Sequence, residues 1–369
     1  MPIPAQPFAE GITDAARQAL SLWWLGFGLC LFLPACTLAF LLTGPHGAAS
    51  ALLWTLPVWL LIAADHWGPA ERRMVPTTAP GWFFDGLLYA LVLLQILNIL
   101  GMGWMVARLP WATAADWGTG CANLLALRIL VGTNSCCAAI APAHELIHRR
   151  GRLQQLLGRA LLITVGYDHF YIAHRRGHHA KLGGAGDPST ARVGEDYGGF
   201  LRRSVAAQWR IAWRAEPGAV SAGLAAETGL ALAFGWAFGP LALAMLVYQA
   251  VVAVKLLEAV NYFQHLGLTQ DSGRAGATAW TCDSAVSLFI FLGLNRHADH
   301  HRHAATPYPK LRSLDVGLAL PCGYLWTAIW VKNHSAGYRR WAGPSLATAN
   351  RVEMHTEHAA SHYKAHRTP

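Results

Sequence analysis

Residues 121–150 have the sequence CANLLALRILVGTNSCCAAIAPAHELIHRR, a mostly apolar run that ends in a cluster of histidines and arginines. The part from about Cys121 to Ala143 exceeds the ~20 residues that a helix needs to cross a bilayer. His144 and His148 follow at i, i+4, which places both imidazoles on one helix face, close enough to share a metal ion. The stretch therefore predicts a membrane helix with metal ligands at one end.

The composition of the whole chain is that of a membrane protein. Of its 369 residues, 54% are hydrophobic and 13% are charged, whereas a soluble protein has about a quarter charged residues. The net charge of +9 comes from basic residues beside apolar runs, not from a tract with interleaved aromatic residues, which argues against nucleic-acid binding. The seven cysteines include no CxxC pair, so the chain has neither a zinc ribbon nor a rubredoxin-like iron site of its own.

Five further apolar runs predict membrane helices, and the first of them lacks an evident cleavage site, so we expect it to be a retained anchor. Lys and Arg are favoured in cytoplasmic loops. They follow the second, fourth and sixth runs, whereas the opposite connections near residues 45, 109–120 and 236–240 carry none. We predict an all-α, integral membrane six-helix bundle in a bacterial inner membrane, with both termini in the cytoplasm. The crossings run from about Leu20 to Leu42, Ala49 to Ala64, Phe84 to Val106, Cys121 to Ala143, Ala219 to Trp236 and Leu241 to Val260.

The chain divides into two predicted parts. Residues 1–335 form the membrane domain, and residues 336–369 form a polar tail. Four histidines of the tail have near-helical spacing, which is more typical of a solvated, partly disordered helix than of a metal site. They are His355, His358, His362 and His366.

Two more segments carry histidines at the spacing of metal ligands, and a third, NYFQH at residues 261–265, carries the single His265 just past the sixth run. Residues 174–179 are HRRGHH, in which His174 and His178 are expected to share a helix face while His179 projects about 100° away, toward a second metal. Residues 297–301 are HADHH, whose i, i+3, i+4 spacing is expected to bring three imidazoles together. By the parity of the crossings, all four histidine segments lie on the cytoplasmic side. The nine candidate ligands are His144, His148, His174, His178, His179, His265, His297, His300 and His301.

Nine imidazoles exceed the roughly four to six ligands that one ion takes, so two metals are the simplest count. An imidazole-rich shell suits iron, copper or zinc, and oxygen chemistry at a membrane favours iron. HExxH alone is typical of a zinc metalloprotease, but the further histidine clusters argue against that function. Glu145, Asp187 and Asp299 lie nearest the motifs, and we expect these carboxylates to orient imidazoles through their free N–H groups. Beyond the metal centre, the sequence identifies no catalytic residue.

Several other polar residues lie near these motifs or inside the apolar runs. His169 and His303 do not fit the ligand spacing and are interpreted as supporting or surface groups. Lys255 and Glu258 stand at i, i+3 near the end of the sixth run and are expected to form an ion pair.

Four motifs together resemble a known family. HELIHRR, HRRGHH followed by DPSTAR, NYFQHLGL and LNRHADHH occur in order between about Asp65 and Leu314, and they resemble the membrane alkane monooxygenases and the hydroxylase subunits of xylene-type monooxygenases. The resemblance implies a fatty acid desaturase-like membrane domain in which the same nine histidines hold two non-haem iron ions. It also implies O₂-dependent hydroxylation of an unactivated terminal methyl group, with electrons from a rubredoxin or ferredoxin-type donor and its NAD(P)H reductase.

The motifs leave the substrate open between an n-alkane and an alkylbenzene. Ala173 and Gln264 resemble the xylene-type members, whereas DPSTAR and LNRHADHH resemble the alkane type. A linear apolar substrate has to enter from the lipid, so we expect bulky residues on the membrane helices to set its length. Trp54 and Trp59 are the candidates for lining that channel.

The predicted function is hydroxylation of a hydrophobic small molecule, and two alternatives are kept beside it. A fatty-acyl desaturase or carotenoid-type oxygenase uses similar histidine motifs, and product analysis distinguishes it. A non-catalytic metal carrier or sensor is expected to place polar ligands inside its spans, whereas the histidines here gather at one end. Since the chain has no CxxC iron site, its electron donor has to be a separate protein, and the basic surface favours an acidic one.

Overall fold

The computed structural model describes residues 22–269, 277–316 and 318–365, with side chains up to residue 348. Within these ranges the chain is helical, and β-structure is limited to two isolated bridges, Ala70–Ser284 and Thr281–Ala319. In chain order the helices are α1 (Trp23–Thr43), α2 (Ala48–Trp67), α3 (Gly81–Ala107), α4 (Ala114–His148), α5 (Arg152–Thr164), α6 (170–181), α7 (Tyr197–Ala215), α8 (Pro217–Phe238), α9 (Pro240–His265), α10 (Ala285–Ile290), α11 (His297–Arg302) and α12 (Tyr324–Ala365).

Six of these helices, α1 to α4 with α8 and α9, are long and apolar enough to cross a membrane. Each predicted crossing falls inside one of them, apart from the first three positions of the first crossing. Positions 20 and 21 lie outside the described residues, and Leu22 directly precedes the helix. The all-α, six-helix membrane fold is therefore confirmed. The spans could be found from sequence because the bilayer requires long apolar runs whose backbone groups are bonded within the helix.

Exposed tryptophans mark where the bilayer surrounds the bundle. On α3, Trp82 is 76% exposed and Trp104 is 44% exposed. They are 22 residues apart, which corresponds to a rise of about 33 Å and matches a hydrocarbon core of about 30 Å. Tryptophan favours the two membrane–water interfaces. The histidine end of the bundle lies on the Trp82 side, because the Tyr308 hydroxyl donates to the Phe84 carbonyl and the Tyr308 N–H donates to Glu145.

Helix α4 changes its winding just before it delivers the first two histidines. Pro142 lacks an N–H and cannot continue the regular ladder, and the preceding residues form a π-helical turn, Cys136–Ile140. Single π-turns of this kind occur often at functional sites. The α-helical winding resumes at Ala141 and carries His144 and His148 on consecutive turns.

A buried carboxylate holds the C-terminal part of the chain against the membrane helices. Asp65, near the end of α2, is 2% exposed. It accepts hydrogen bonds from Ser284 Oγ and Ser287 Oγ, both at 2.6 Å, and from the Leu325 N–H at 2.8 Å. These bonds position the segment that leads into α11, which carries three of the candidate ligands.

Helix α12 crosses the predicted boundary between residues 335 and 336. It is kinked at His334, where φ is −142°, and then packs Tyr338, Ala342 and Leu346 into the core. Tyr338 donates to the Phe263 carbonyl at 3.3 Å. The first turns of the predicted tail therefore belong to the folded body. The side chains of His355, His358, His362 and His366 lie outside the described part of the chain.

Candidate metal centre

Four chain segments deliver the nine candidate histidines to one place at the Trp82 end of the bundle. α4 contributes two, α6 contributes three, α9 contributes its last residue, and α11 contributes three. Their ligand atoms form two groups, and within each group these atoms all lie within 4.8 Å of one another. The first group is His144, His148, His174, His179 and His300, and the second is His178, His265, His297 and His301.

The division within α6 differs from the α-helical expectation. His174 and His178 were predicted to share a face, but His174 groups with His179, and their Nε2 atoms are 3.0 Å apart. The reason is a π-helical turn over His174–His178, in which the His179 N–H bonds to the His174 carbonyl. This i→i+5 winding brings residues five apart onto one face. His178 is thereby turned toward the other group.

The three histidines of α11 also separate. His297 and His301, one turn apart, have their Nε2 atoms 2.9 Å apart in the second group, while His300 faces His179 in the first, at 3.3 Å. The three rings do lie together, with centroids 4.4 to 5.7 Å apart, but their ligand atoms belong to both groups. Adjacent positions on a helix point about 100° apart, so neighbouring histidines naturally serve two sites.

The spacing of the nitrogen atoms fits coordination of metal ions. Two imidazoles that bind one ion at about 2.1 Å and at right angles have nitrogens about 3 Å apart. His148 and His174 lie at 3.0 Å, and His178 and His301 lie at 3.1 Å. The Nε2 atoms of His144 and His265 are buried without a hydrogen-bond partner among the described residues, which is costly unless something binds them. The donor set therefore fits two adjacent metal ions.

Burial favours the neutral form of four of the candidate ligands outside the membrane spans. Burial lowers the pKa of His174, His297, His300 and His301 well below the usual range, and the neighbouring imidazoles lower it further. A neutral imidazole has a free lone pair, which is the form that binds a metal. At neutral pH these four imidazoles therefore do not have to lose a proton before they bind a cation.

Asp187 is the predicted carboxylate that contacts a candidate ligand. His178 Nδ1 donates to its two oxygens at 2.9 and 3.1 Å, and the Thr190 hydroxyl and the Ser189 N–H also donate to it. Burial raises the pKa of Asp187, but the electrostatic interaction with His178 and these hydrogen bonds outweigh that effect and lower the pKa to about 2. The ionised carboxylate fixes the His178 ring so that Nε2 faces the second group.

The other two predicted carboxylates are engaged elsewhere. Glu145 accepts from Arg149 Nε at 2.7 Å and from the Tyr308 N–H. Asp299 accepts from the side chain and the N–H of Arg312. Among the hydrogen bonds of the described residues, neither carboxylate contacts a histidine. The structure corrects the prediction that these carboxylates orient imidazoles, because each carboxylate is instead hydrogen-bonded to a nearby arginine.

The predicted ion pair between Lys255 and Glu258 is also wrong. Glu258 is fully buried and accepts hydrogen bonds from Ser204 Oγ at 2.7 Å, Gln208 Nε2 at 2.8 Å and Tyr167 at 3.2 Å. Lys255, three residues earlier on α9, is exposed. A buried carboxylate requires hydrogen-bond donors, and helix α7 together with the loop before α6 provides them.

A cavity of about 210 Å³ lies between α2, α4, α9 and the first turns of α12. Trp59 lines it, as predicted for a channel residue. Trp54 is not among its lining residues and instead packs against Phe40 and His46, with ring centroids 6.1 and 5.5 Å away. The cavity supports Trp59 as a channel candidate and gives no support to Trp54.

Phe291 connects this cavity to the histidines. It lines the 210 Å³ cavity and also a small space bordered by His144, His297 and His300. Sequence reasoning missed Phe291, because a phenylalanine in an apolar segment carries no signal of its own. It also missed Arg128, whose signal was a lone cation in the fourth apolar run.

Comparison with known proteins agrees with this arrangement. A family model described as fatty acid desaturase matches residues 119–223 and 200–333. Alkane 1-monooxygenase 1 of Pseudomonas aeruginosa is 32% identical, over 72% of this chain and 73% of that protein. Alkane 1-monooxygenase 1 of Alcanivorax borkumensis is 27% identical, over 72% of this chain and 68% of that protein. The hydroxylase component of xylene/toluene monooxygenase from Pseudomonas putida is 26% identical, over 46% of this chain and half of that protein.

Fold, site and comparisons together define an integral membrane oxidoreductase of the fatty acid desaturase class, with histidine clusters suited to metal binding. Within that class, the chain belongs to the membrane alkane monooxygenase family. The resemblance drawn from the four sequence motifs is thereby confirmed, as is the prediction that the chain is a monooxygenase-type enzyme.

Proposed function

We propose that this protein uses O₂ to hydroxylate a terminal methyl group, or another unactivated C–H bond, of a hydrophobic substrate. The observation that carries the proposal is the division of nine histidines into groups of five and four, with nitrogen atoms about 3 Å apart. Two such groups, side by side, have the donors that two iron ions require. The names of the relatives favour an alkane or an alkylbenzene as the substrate.

Iron is the metal that we propose, held by the five histidines of the first group and the four of the second. An all-imidazole shell also accepts copper or zinc, but the relatives are monooxygenases, and zinc has no redox chemistry. When bound, two non-haem irons would supply the electron transfer and O₂ activation that no amino-acid side chain provides.

The protein's own contribution is to orient the ligands and the substrate. Asp187 holds the His178 ring in one orientation through the bond to Nδ1. The cavity lined by Trp59 offers an apolar path, and Phe291 separates its inner end from His297 and His300. An apolar chain in this path excludes water from the reacting carbon.

We propose that the electrons come from a separate protein, a rubredoxin or a ferredoxin-type donor with its NAD(P)H reductase. Several arginines near the histidines are exposed, among them Arg150, Arg175, Arg176 and Arg302. Such a surface attracts an acidic donor and speeds its encounter. Because basic loops favour the cytoplasm, we place the metal centre and both termini on the cytoplasmic side.

The test of this function is whole-cell conversion of octane, hexadecane and p-xylene, with rubredoxin and ferredoxin systems co-expressed in parallel and ¹⁸O₂ as the oxidant. We expect a primary alcohol or a benzylic alcohol that carries ¹⁸O. An unsaturated product without ¹⁸O would instead establish a desaturase. No product with either donor system, from protein that retains its iron, would contradict the proposal.

A further inference from the structure

Arg128 lies near the middle of the bilayer. It is on α4, 11 residues after Trp117, which is 57% exposed at the end far from the histidines. Eleven residues correspond to a rise of about 16 Å, roughly half of the hydrocarbon core. The Arg128 side chain is exposed on the outside of the bundle. An ionisable group at this depth is costly and marks a functional site by default.

The protein gives Arg128 a neutral partner but no counter-ion. Its Nε donates to the Tyr248 hydroxyl at 3.0 Å, and among the described residues it forms no ion pair. Arg128, Tyr248 and Lys332 all line the 210 Å³ cavity, which we call the substrate groove, and no Asp or Glu lines it. The substrate groove therefore combines apolar walls with two positive charges, which complements an apolar molecule with an anionic end.

The substrate groove runs from Arg128 toward the histidines. On α4 it passes Gly132 and Cys136, and its inner end is bordered by Phe291, which also borders the space beside His144. Arg128 and His144 are 16 residues apart, a rise of about 24 Å. An extended chain advances about 1.2 Å per bond. After subtraction of the arginine side chain, this distance corresponds to the length of a chain of about 14 to 18 carbons.

We propose that the substrate groove binds a long-chain fatty acid, whose carboxylate pairs with Arg128 and Tyr248 and whose methyl end points toward the histidines. This inference rests on the proposed hydroxylase function and specifies its substrate class. A planar guanidinium binds a carboxylate through two parallel hydrogen bonds. The phosphate of a membrane phospholipid is held at the interface, roughly 15 Å from the midplane, whereas a fatty acid can enter the bilayer in its neutral form.

Binding measurements test the inference independently of catalysis. In detergent, a fluorescent fatty acid is bound to the purified protein and displaced by palmitate, methyl palmitate, hexadecane or a phosphatidic acid. We expect Arg128→Gln to weaken palmitate binding by about tenfold or more, since a hydrogen bond to a charged group is lost. Binding of methyl palmitate and hexadecane should change less than about twofold. Lys255→Gln removes a cation from an exposed position of α9 that does not line the substrate groove, and it should leave all affinities unchanged.

Unchanged palmitate binding in Arg128→Gln would overturn the inference. Equal losses of affinity for palmitate and methyl palmitate would also overturn it. They would show that the substitution distorts the groove and not that it removes a charge partner of the carboxylate. Phosphatidic acid could also displace the probe as effectively as palmitate does and lose this ability in Arg128→Gln. The ligand of the substrate groove would then be a lipid headgroup and not a fatty acid. If binding behaves as expected but neither palmitate nor hexadecane is hydroxylated, the hydroxylase function fails and the fatty-acid site stands.

Discussion

The His178 imidazole donates a 2.9 Å hydrogen bond from Nδ1 to the carboxylate of Asp187. Both side chains are fully buried, and the other ring nitrogen of His178 faces His301 at 3.1 Å. This one bond determines the tautomer and the orientation of a candidate ligand. It also ties the DPSTAR motif, which begins at Asp187, to the second histidine group.

Replacing Asp187 should therefore weaken metal binding. We expect Asp187→Asn to lower metal affinity or activity by about 10- to 100-fold, whereas Asp299→Asn, at a carboxylate engaged by Arg312, should have a smaller effect. The measurement is iron content per chain against chelator concentration for both variants. Equal iron retention in Asp187→Asn and the wild type would refute the orienting role.

The metal-free protein should lose stability as the pH falls below about 6.5. Burial lowers the pKa of His297, His300 and His301 in the folded state, so below that pH the unfolded chain binds protons that the folded chain does not, and the free energy of unfolding decreases. Above about pH 6.5 both states are neutral at these groups and the contribution is constant. Thermal unfolding of the metal-free protein between about pH 8 and pH 5 checks this. A midpoint that stays constant across the range would contradict the burial of neutral imidazoles.

The size of the side chain at position 291 should set how far a substrate reaches. Phe291 borders both the substrate groove and the space beside the histidines. We expect Phe291→Ala to shift the product profile toward longer or bulkier substrates, and Trp59→Ser to alter it as well, because both remove bulk from the path. Trp54→Ser is the matched control, since Trp54 does not line the substrate groove. The measurement is the product profile of each variant with a mixture of substrates of different chain lengths. Identical profiles for Phe291→Ala and Trp54→Ser would count against this path.

Sequence predicted the membrane helices, and it singled out nine histidines that the structure brings together in two groups. A bilayer imposes a length and a polarity on each span, and the repeated spacing of residues such as His144 and His148 is rare by chance. Both signals are local. The structure adds the division of the histidines into groups of five and four. This division depends on a π-helical turn at His174–His178, which no pattern in the sequence predicted.

Tertiary partners explain the predictions that failed. Glu145 and Asp299 stand beside histidines in sequence, yet Arg149 and Arg312 lie close enough to bind them in the fold. Glu258 forms hydrogen bonds with Ser204 and Gln208, which are more than 40 residues away along the chain. Contacts of this range are set by helix packing, which spacing along one helix does not reveal.

Metal analysis of the purified protein decides whether the nine histidines hold two metal ions. The wild type should contain about two irons per chain. His297→Ala, normalised to the amount of protein in the membrane, should lose iron from the second group and lose activity, while membrane insertion persists because it depends on the apolar spans. His303→Ala, an exposed residue outside both groups, should keep both. A single tightly held zinc with full activity, or a His297→Ala variant with undiminished iron and activity, would show that the nine histidines do not hold two irons.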